Sequence, residues 1–230
     1  MKTEIVNSIF FGSGITLVAF CIGEFLKKKF KHPLLNPILI AIILIISVLF
    51  LFHIDFDQYN NGGQYISYFL TPATVCLAVP LYEELQHLKD NWLAIMAGII
   101  SGMLASSVSI LIFSYLFKLD HQQYVTLLPK SITVAIGMGV SEKLNGIVSI
   151  TIAVIIITGI IGSVFGESIM KKFGINHPIA KGVALGSSAH ALGTAKAMEI
   201  GELEGAISGL ALAVSGILTV IVATLFSGFL

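Results

Sequence analysis

The stretch H-P-I-A-K-G-V-A-L-G-S-S-A-H-A-L-G-T-A-K-A-M-E, residues 177–199, is long enough to enter a bilayer, yet it carries Lys181, His190 and Lys196. Gly182, Gly186 and Gly193 interrupt it, with hydroxyls at Ser187, Ser188 and Thr194. Glycine weakens a continuous helix, and small side chains let another backbone come close. Ionisable groups at membrane depth are costly and usually face a cavity or a partner. The stretch therefore reads as an interrupted helix around which a substrate site is built.

Working outward, the 230-residue chain is 56% hydrophobic and 11% charged, with a mean hydropathy of +0.94. A soluble domain carries about 25% charged residues. This chain cannot clothe a water-facing surface of ordinary polarity and reads as an all-α integral membrane protein. Its 13 basic residues are all lysines, balanced by 13 acidic ones. With no arginine and no basic block beyond residues 27–31, a nucleic-acid partner is not indicated. Cys21 and Cys76 lie far apart in apolar segments and read as small buried hydrophobes. The leading apolar run lacks a strongly basic flank and reads as a first membrane helix, not a cleaved signal.

Five uncharged runs are long enough to span, since about 20 residues cross the hydrocarbon core: residues 5–23, 33–54, 91–117, 145–166 and 205–230. Three weaker segments, 64–82, 124–141 and 179–198, are interrupted by proline or by Gly/Ser/Thr clusters. Proline removes a backbone donor, and freed backbone at membrane depth must line protein or water. These three read as broken or re-entrant helices. About eight membrane segments result, in a single domain over residues 1–230. The longest polar stretch, D-F-D-Q-Y-N-N-G-G at 55–63, reads as an outer turn.

The weak segments recur at one fixed interval. It separates Pro72 from Pro129, Ala78 from Ala135, Gly102 from Gly159 and Ser106 from Ser163, and it carries Thr74 to Ser131 to Ser188. The unit of broken segment, acidic turn and full helix occurs three times. The acidic turns hold Glu83 and Glu84, then Glu142, then Glu199, Glu202 and Glu204. A second echo sets K-K-K-F-K-H-P at 27–33 against K-K-F-G-I-N-H-P at 171–178. An odd number of crossings between them makes an inverted-topology repeat, a common transporter plan; a re-entrant segment puts both lysine loops on one side. The parity stays open.

Lys130, next to Pro129 and among Ser131 and Thr133, presents a cation to an anion, or snorkels to the interface. His190 moves protons or binds a carboxylate, or bonds to a neighbouring helix backbone. Lys196 joins the site, or pairs with Glu199 at the segment end. Lys181 reads as an interface anchor. Thr71 and Thr74 line a path or bond back to their own helix. Asn36 shapes the cavity or glues helices. Glu83 and Glu84 read as a solvated turn. The chain has no phosphate-cradling loop, no Cys/His cluster of metal spacing and no G-x-S-x-G. Neither a metal, a cofactor nor an enzyme activity is expected.

The runs L-N-P-I-L-I-A-I (35–42), T-P-A-T-V-C-L-A-V-P-L-Y (71–82), L-L-P-K-S-I-T-V-A-I (127–136) and A-K-G-V-A-L-G-S-S-A-H-A-L-G-T-A-K-A-M-E (180–199) resemble the LrgB/CidB family over nearly the whole chain. The K-S-I-T and G-T-A-K-A forms look more like the CidB branch. The resemblance implies a bacterial plasma-membrane protein working with a small LrgA/CidA-type membrane partner. It also implies a link to holin-like pores, murein hydrolase activity and cell lysis. Other members resemble carriers of small monocarboxylates such as pyruvate. The cations on broken segments fit the carrier reading, with Lys130, His190 and Lys196 meeting the substrate charge. Thr74, Ser131, Thr133, Ser187, Ser188 and Thr194 would donate hydrogen bonds. The alternative is an antiholin-like regulatory subunit without transport of its own. Homo-oligomerisation stays open.

Overall fold

In the computed structural model, residues 8–30, 35–69, 72, 75, 76, 79, 82 and 85–230 are described. They form helices and no strands. The chain divides into two compact units, Met1–Cys76 and Leu77–Leu230.

The first unit holds α1 (Ile9–Phe30), α2 (Pro37–Phe52) and α3 (Phe56–Ser67). Pro37 occupies the first turn of α2, where its missing N–H costs nothing, and Asn36 caps it. The Asn36 Oδ1 accepts from the backbone N–H of Ile38 at 2.9 Å and of Leu39 at 3.3 Å. His53, at φ 52°, ends the helix. The polar stretch expected to be a turn is instead α3. Its Tyr59 hydroxyl lies 2.9 Å from Thr16 Oγ1, and Gly62 meets the α1 backbone at Ile9 and Gly12. Backbone contact without side chains between lets a polar helix dock on an apolar one.

The second unit holds α4 (Leu85–Asp90), α5 (Trp92–Phe117), α6 (His121–Leu127), α7 (Val134–Lys143), α8 (Val148–Lys172), α9 (Pro178–Ile200) and α10 (Glu202–Phe226), closed by a 3-10 turn, Ser227–Phe229. Four helices are long and apolar enough to cross a membrane: α1, α5, α8 and α10 with its terminal turn. The fifth expected span, α2, is a shorter apolar helix of 16 residues. That is about 24 Å of rise against about 30 Å of hydrocarbon. Cys21 and Cys76, expected to be buried, are exposed. A membrane helix turns apolar side chains outward, so apolar surroundings in sequence do not imply burial in protein.

The three long helices of this unit alternate in direction. Ile95 and Ile99 near the start of α5 share a buried cluster with Ile207 and Ala211 near the start of α10. At the other end Tyr115 Oη donates to the Phe229 carbonyl at 2.7 Å. Helices α5 and α10 therefore run parallel. Helix α8 opposes them: its first turn bonds to α6, which follows α5, through Thr151 Oγ1 to the Thr126 carbonyl at 2.9 Å. We call the end that holds Trp92, Lys172 and Glu202 the near end, and the end that holds Phe117, Val148 and Phe226 the far end.

Helix α9 does not cross. His190 adopts φ 43°, ψ −136°, splitting it into arms 178–189 and 191–200. The first arm descends from the near end with its small face against α10: a Cβ at Gly182 would lie 2.7 Å from the Glu204 carbonyl oxygen, and Gly186 abuts Ser208 and Ala211. The second arm climbs back. Met198 packs at Gly205, Ala197 packs with Leu185 and Met170, and Lys196 Nζ reaches Glu167 Oε2 at 2.9 Å near the end of α8. The expected broken segment is a re-entrant hairpin with His190 at its tip. Each arm rises about 15–18 Å, half the hydrocarbon thickness.

Helices α6 and α7 form a second hairpin from the far end. Asp120 caps α6, its Oδ1 accepting from the Gln123 N–H at 2.7 Å while Gln123 Oε1 accepts from the Asp120 N–H. The return arm ends beside the first: Ser141 Oγ lies 2.7 Å from Thr151 Oγ1, the Ile147 N–H donates to Thr126 Oγ1 at 2.8 Å, and Gln122 Nε2 donates to the Asn145 carbonyl at 3.3 Å. The tip is the P-K-S-I-T turn, residues 129–133. Within the first copy of the sequence repeat, at 64–82, residues 70, 71, 73, 74, 77, 78, 80 and 81 lie outside the described residues, as do Pro33, Glu83 and Glu84.

Candidate functional site

The two hairpin tips reach the same level. His190 is 4% exposed, and its Nε2 donates to the Ile155 carbonyl of α8 at 2.9 Å. The ring lies over Gly159, where a Cβ would come within 2.5 Å of Nε2. Ile155 and Gly159 lie midway along α8. The Ile155 side chain covers Gly137, just past the other tip. On α5, Gly102 faces Ser187 of the near-end hairpin. One turn further, Ser106 Oγ lies 3.4 Å from Ser131 Oγ of the far-end hairpin. On α10, Gly216 faces Ile136. Gly216 also continues the interval between Gly102 and Gly159. Each long helix thus turns a glycine of the repeat toward a hairpin at mid-depth.

At the far-end tip, Lys130 is half-buried and donates to Ser131 Oγ at 3.0 Å. Among the described residues no carboxylate lies within salt-bridge distance of it. Thr133 caps α7 without a side-chain hydrogen bond to the helix, so the first-turn N–H groups of α7 open at the tip. The arm after His190 likewise begins at its own tip. Two helix amino ends, each carrying positive partial charge, and one cation without a carboxylate thus lie at mid-depth.

The other expected site residues are placed differently. Ser187 and Ser188 line a cleft of about 620 Å³ between α5 and the first arm of α9, with Gly98, Ser101 and Gly102 opposite and Asn91 and His177 at its near end. Their hydroxyls donate to their own helix, Ser187 to the Val183 carbonyl at 2.7 Å and Ser188 to Ala184 at 2.6 Å. Thr194 is buried, donates to the His190 carbonyl at 3.2 Å and lies 3.0 Å from Ser208 Oγ. It ties the hairpin to α10. Lys196 is held by Glu167 and, at 3.4 Å, by Glu199; Glu167 also takes Lys171 at 3.2 Å. Lys181 pairs with Glu204 at 3.8 Å. Asn36 belongs to the first unit, where it caps α2. Thr71 and Thr74 lie outside the described residues.

Sequence reasoning missed Ser106 as a site residue, although its recurrence with Ser163 marked it. It also missed the Ile155 carbonyl, which no side-chain motif can mark.

Long apolar helices alternating with half-depth hairpins from opposite ends define a multi-pass membrane protein. The LrgB-like family model matches residues 16–229. Antiholin-like protein LrgB of Bacillus mycoides (strain KBAB4), of Bacillus cereus (strain B4264) and of Bacillus anthracis (strain CDC 684 / NRRL 3495) are each 38% identical over 222 residues, 96% of either chain. The chain belongs to the LrgB-like family. No solved structure matches it.

Proposed function

We propose that the protein carries a small monocarboxylate such as pyruvate across the membrane, binding it between the two hairpin tips. The observation that supports this most is Lys130, a cation at mid-depth with no carboxylate beside it among the described residues, just before the amino end of α7, while the arm after His190 begins at a similar depth. Desolvating an anion costs several kcal/mol, on the order of what a well-placed cation and dipole ends return. His190 stands at the same level and supplies a proton-exchanging group. Alternating access follows from hairpins that block the path from opposite ends, moving in turn. In this reading residues 1–230 act as one transmembrane domain with about eight membrane segments, the hairpins included.

The relatives' printed name favours a second reading, an antiholin-like subunit that restrains a pore formed by a small LrgA/CidA-type partner. A link to murein hydrolase activity and lysis then follows directly, whereas under transport it follows from altered metabolite flux. Uptake of labelled pyruvate into proteoliposomes separates the two, with the chain alone and with the small partner. Saturable uptake, faster with an inward proton gradient and lost in Lys130→Ala, is the expected result. Folded protein that moves no small carboxylate, even with the partner, refutes the carrier and favours the regulatory subunit.

A further inference from the structure

We propose that Ser215 of α10 is a substrate ligand, its hydroxyl donating a hydrogen bond to the carboxylate held between the tips. The inference rests on the transport reading. Ser215 is 2% exposed, and its Oγ has no hydrogen-bond partner among the described residues. Serines in these helices usually return the hydroxyl proton to the carbonyl four residues back, as Ser47, Ser109, Ser187 and Ser188 do. Ser215 does not. A buried hydroxyl without a partner is costly and is rarely kept without reason.

Register fixes its depth. Gly182 meets Glu204 and Ile207, and Gly186 meets Ser208 and Ala211, so α10 and the first arm of α9 advance together. Four residues on, His190 is level with Ser215. The neighbouring Gly216 faces Ile136, just past the Lys130 tip. Ser215 therefore lies on α10 at the depth where both tips end, and continues the face that carries Ser208 and Ala211. Lys130 would supply charge and Ser215 direction: a neutral donor on a rigid helix orients one carboxylate oxygen without adding a second cation. Ser114 is the control. It is fully buried and equally without a partner, but it lies two turns from Ser106 toward the far end, away from the tips.

Pyruvate binding to purified protein is measured by ligand-dependent thermal shift, in wild type, Ser215→Ala and Ser114→Ala. Ser215→Ala should raise the pyruvate Kd about tenfold, the size of a lost hydrogen bond to a charged group, while the ligand-free protein melts no lower than wild type. Ser114→Ala should leave Kd unchanged. As a second arm, Ser215→Cys in a chain with Cys21 and Cys76 replaced is alkylated by a small thiol reagent, and pyruvate should slow that reaction. If wild type binds and Ser215→Ala binds equally, or if pyruvate fails to protect the cysteine, Ser215 is not a ligand. If wild type binds no small carboxylate at all, the transport reading falls and takes this inference with it.

Discussion

Lys130 and His190 were both named from sequence, and the fold gives them different work. Lys130 hangs on a tip, where its hydrogen-bond partner among the described residues is Ser131. Lys130→Gln should weaken carboxylate binding about 30-fold or more, because removing one partner of a buried charge pair costs about 2–5 kcal/mol. It should leave thermal stability near wild type, since no ion pair is broken; binding and melting curves on one preparation check both. Lys196→Gln should do the reverse, lowering the melting temperature by loosening the hairpin from Glu167 with little change in substrate Kd. His190 carries strain as well as chemistry. At φ 43° an L-residue crowds its own carbonyl, at a cost of about 1–3 kcal/mol that glycine avoids. His190→Gly should therefore melt higher than His190→Ala, both lacking the imidazole. Equal melting temperatures would mean that the tip is not strained. Sequence could name the histidine but not its conformation, because positive φ in a histidine leaves no compositional trace.

At the scale of elements, hydropathy marked the long helices well, since length and apolarity are what a bilayer demands. Two kinds of feature were not legible. The polar stretch 55–63 carries the capping pattern of a helix, with Asp55 and Gln58 three apart, yet its polarity read as an outer turn. And α2 is shorter than the expected run 33–54: it starts at Pro37, capped by Asn36, and stops at His53, which turns left-handed. The broken segments were legible as breaks, with re-entry as one of two readings; which end each enters from was not. That depends on contacts such as Met198 with Gly205 and Lys196 with Glu167, which lie across helices. The small-residue seam is testable. Gly186→Ala would press a methyl against Ser208 and Ala211, and Gly159→Ala would press one against the His190 ring. Each should cost about 1–3 kcal/mol of stability as overpacking. Gly139→Ala, where a Cβ meets nothing, should be neutral or slightly stabilising. Thermal unfolding of the three variants in one detergent decides it. If Gly186→Ala and Gly139→Ala match, the near-end hairpin is not packed on α10 as described.

At the scale of the whole molecule, lysine placement sets sidedness. In the second unit Lys89, Lys171 and Lys172 flank the near end, and Lys118 and Lys143 the far end. Cytoplasmic flanks carry the excess of lysine, so the near end should face the cytoplasm. The cleft between α5 and the first arm of α9 has Asn91 and His177 at that end. At the far end Tyr115, Tyr124 and His121 bond to the carbonyls of Phe229, Phe226 and Leu230. In the transport reading, this sidedness puts the cleft of the second unit at its cytoplasmic end. Single cysteines at Phe173 and Lys143 test this in a chain whose exposed Cys21 and Cys76 have been replaced. A membrane-impermeant thiol reagent on intact cells should label the Lys143→Cys protein and spare Phe173→Cys until the cells are opened. The opposite pattern would invert the molecule and make the cleft face outward. Labelling of both in intact cells would mean that α8 does not cross, which no arrangement of opposed hairpins around it could survive.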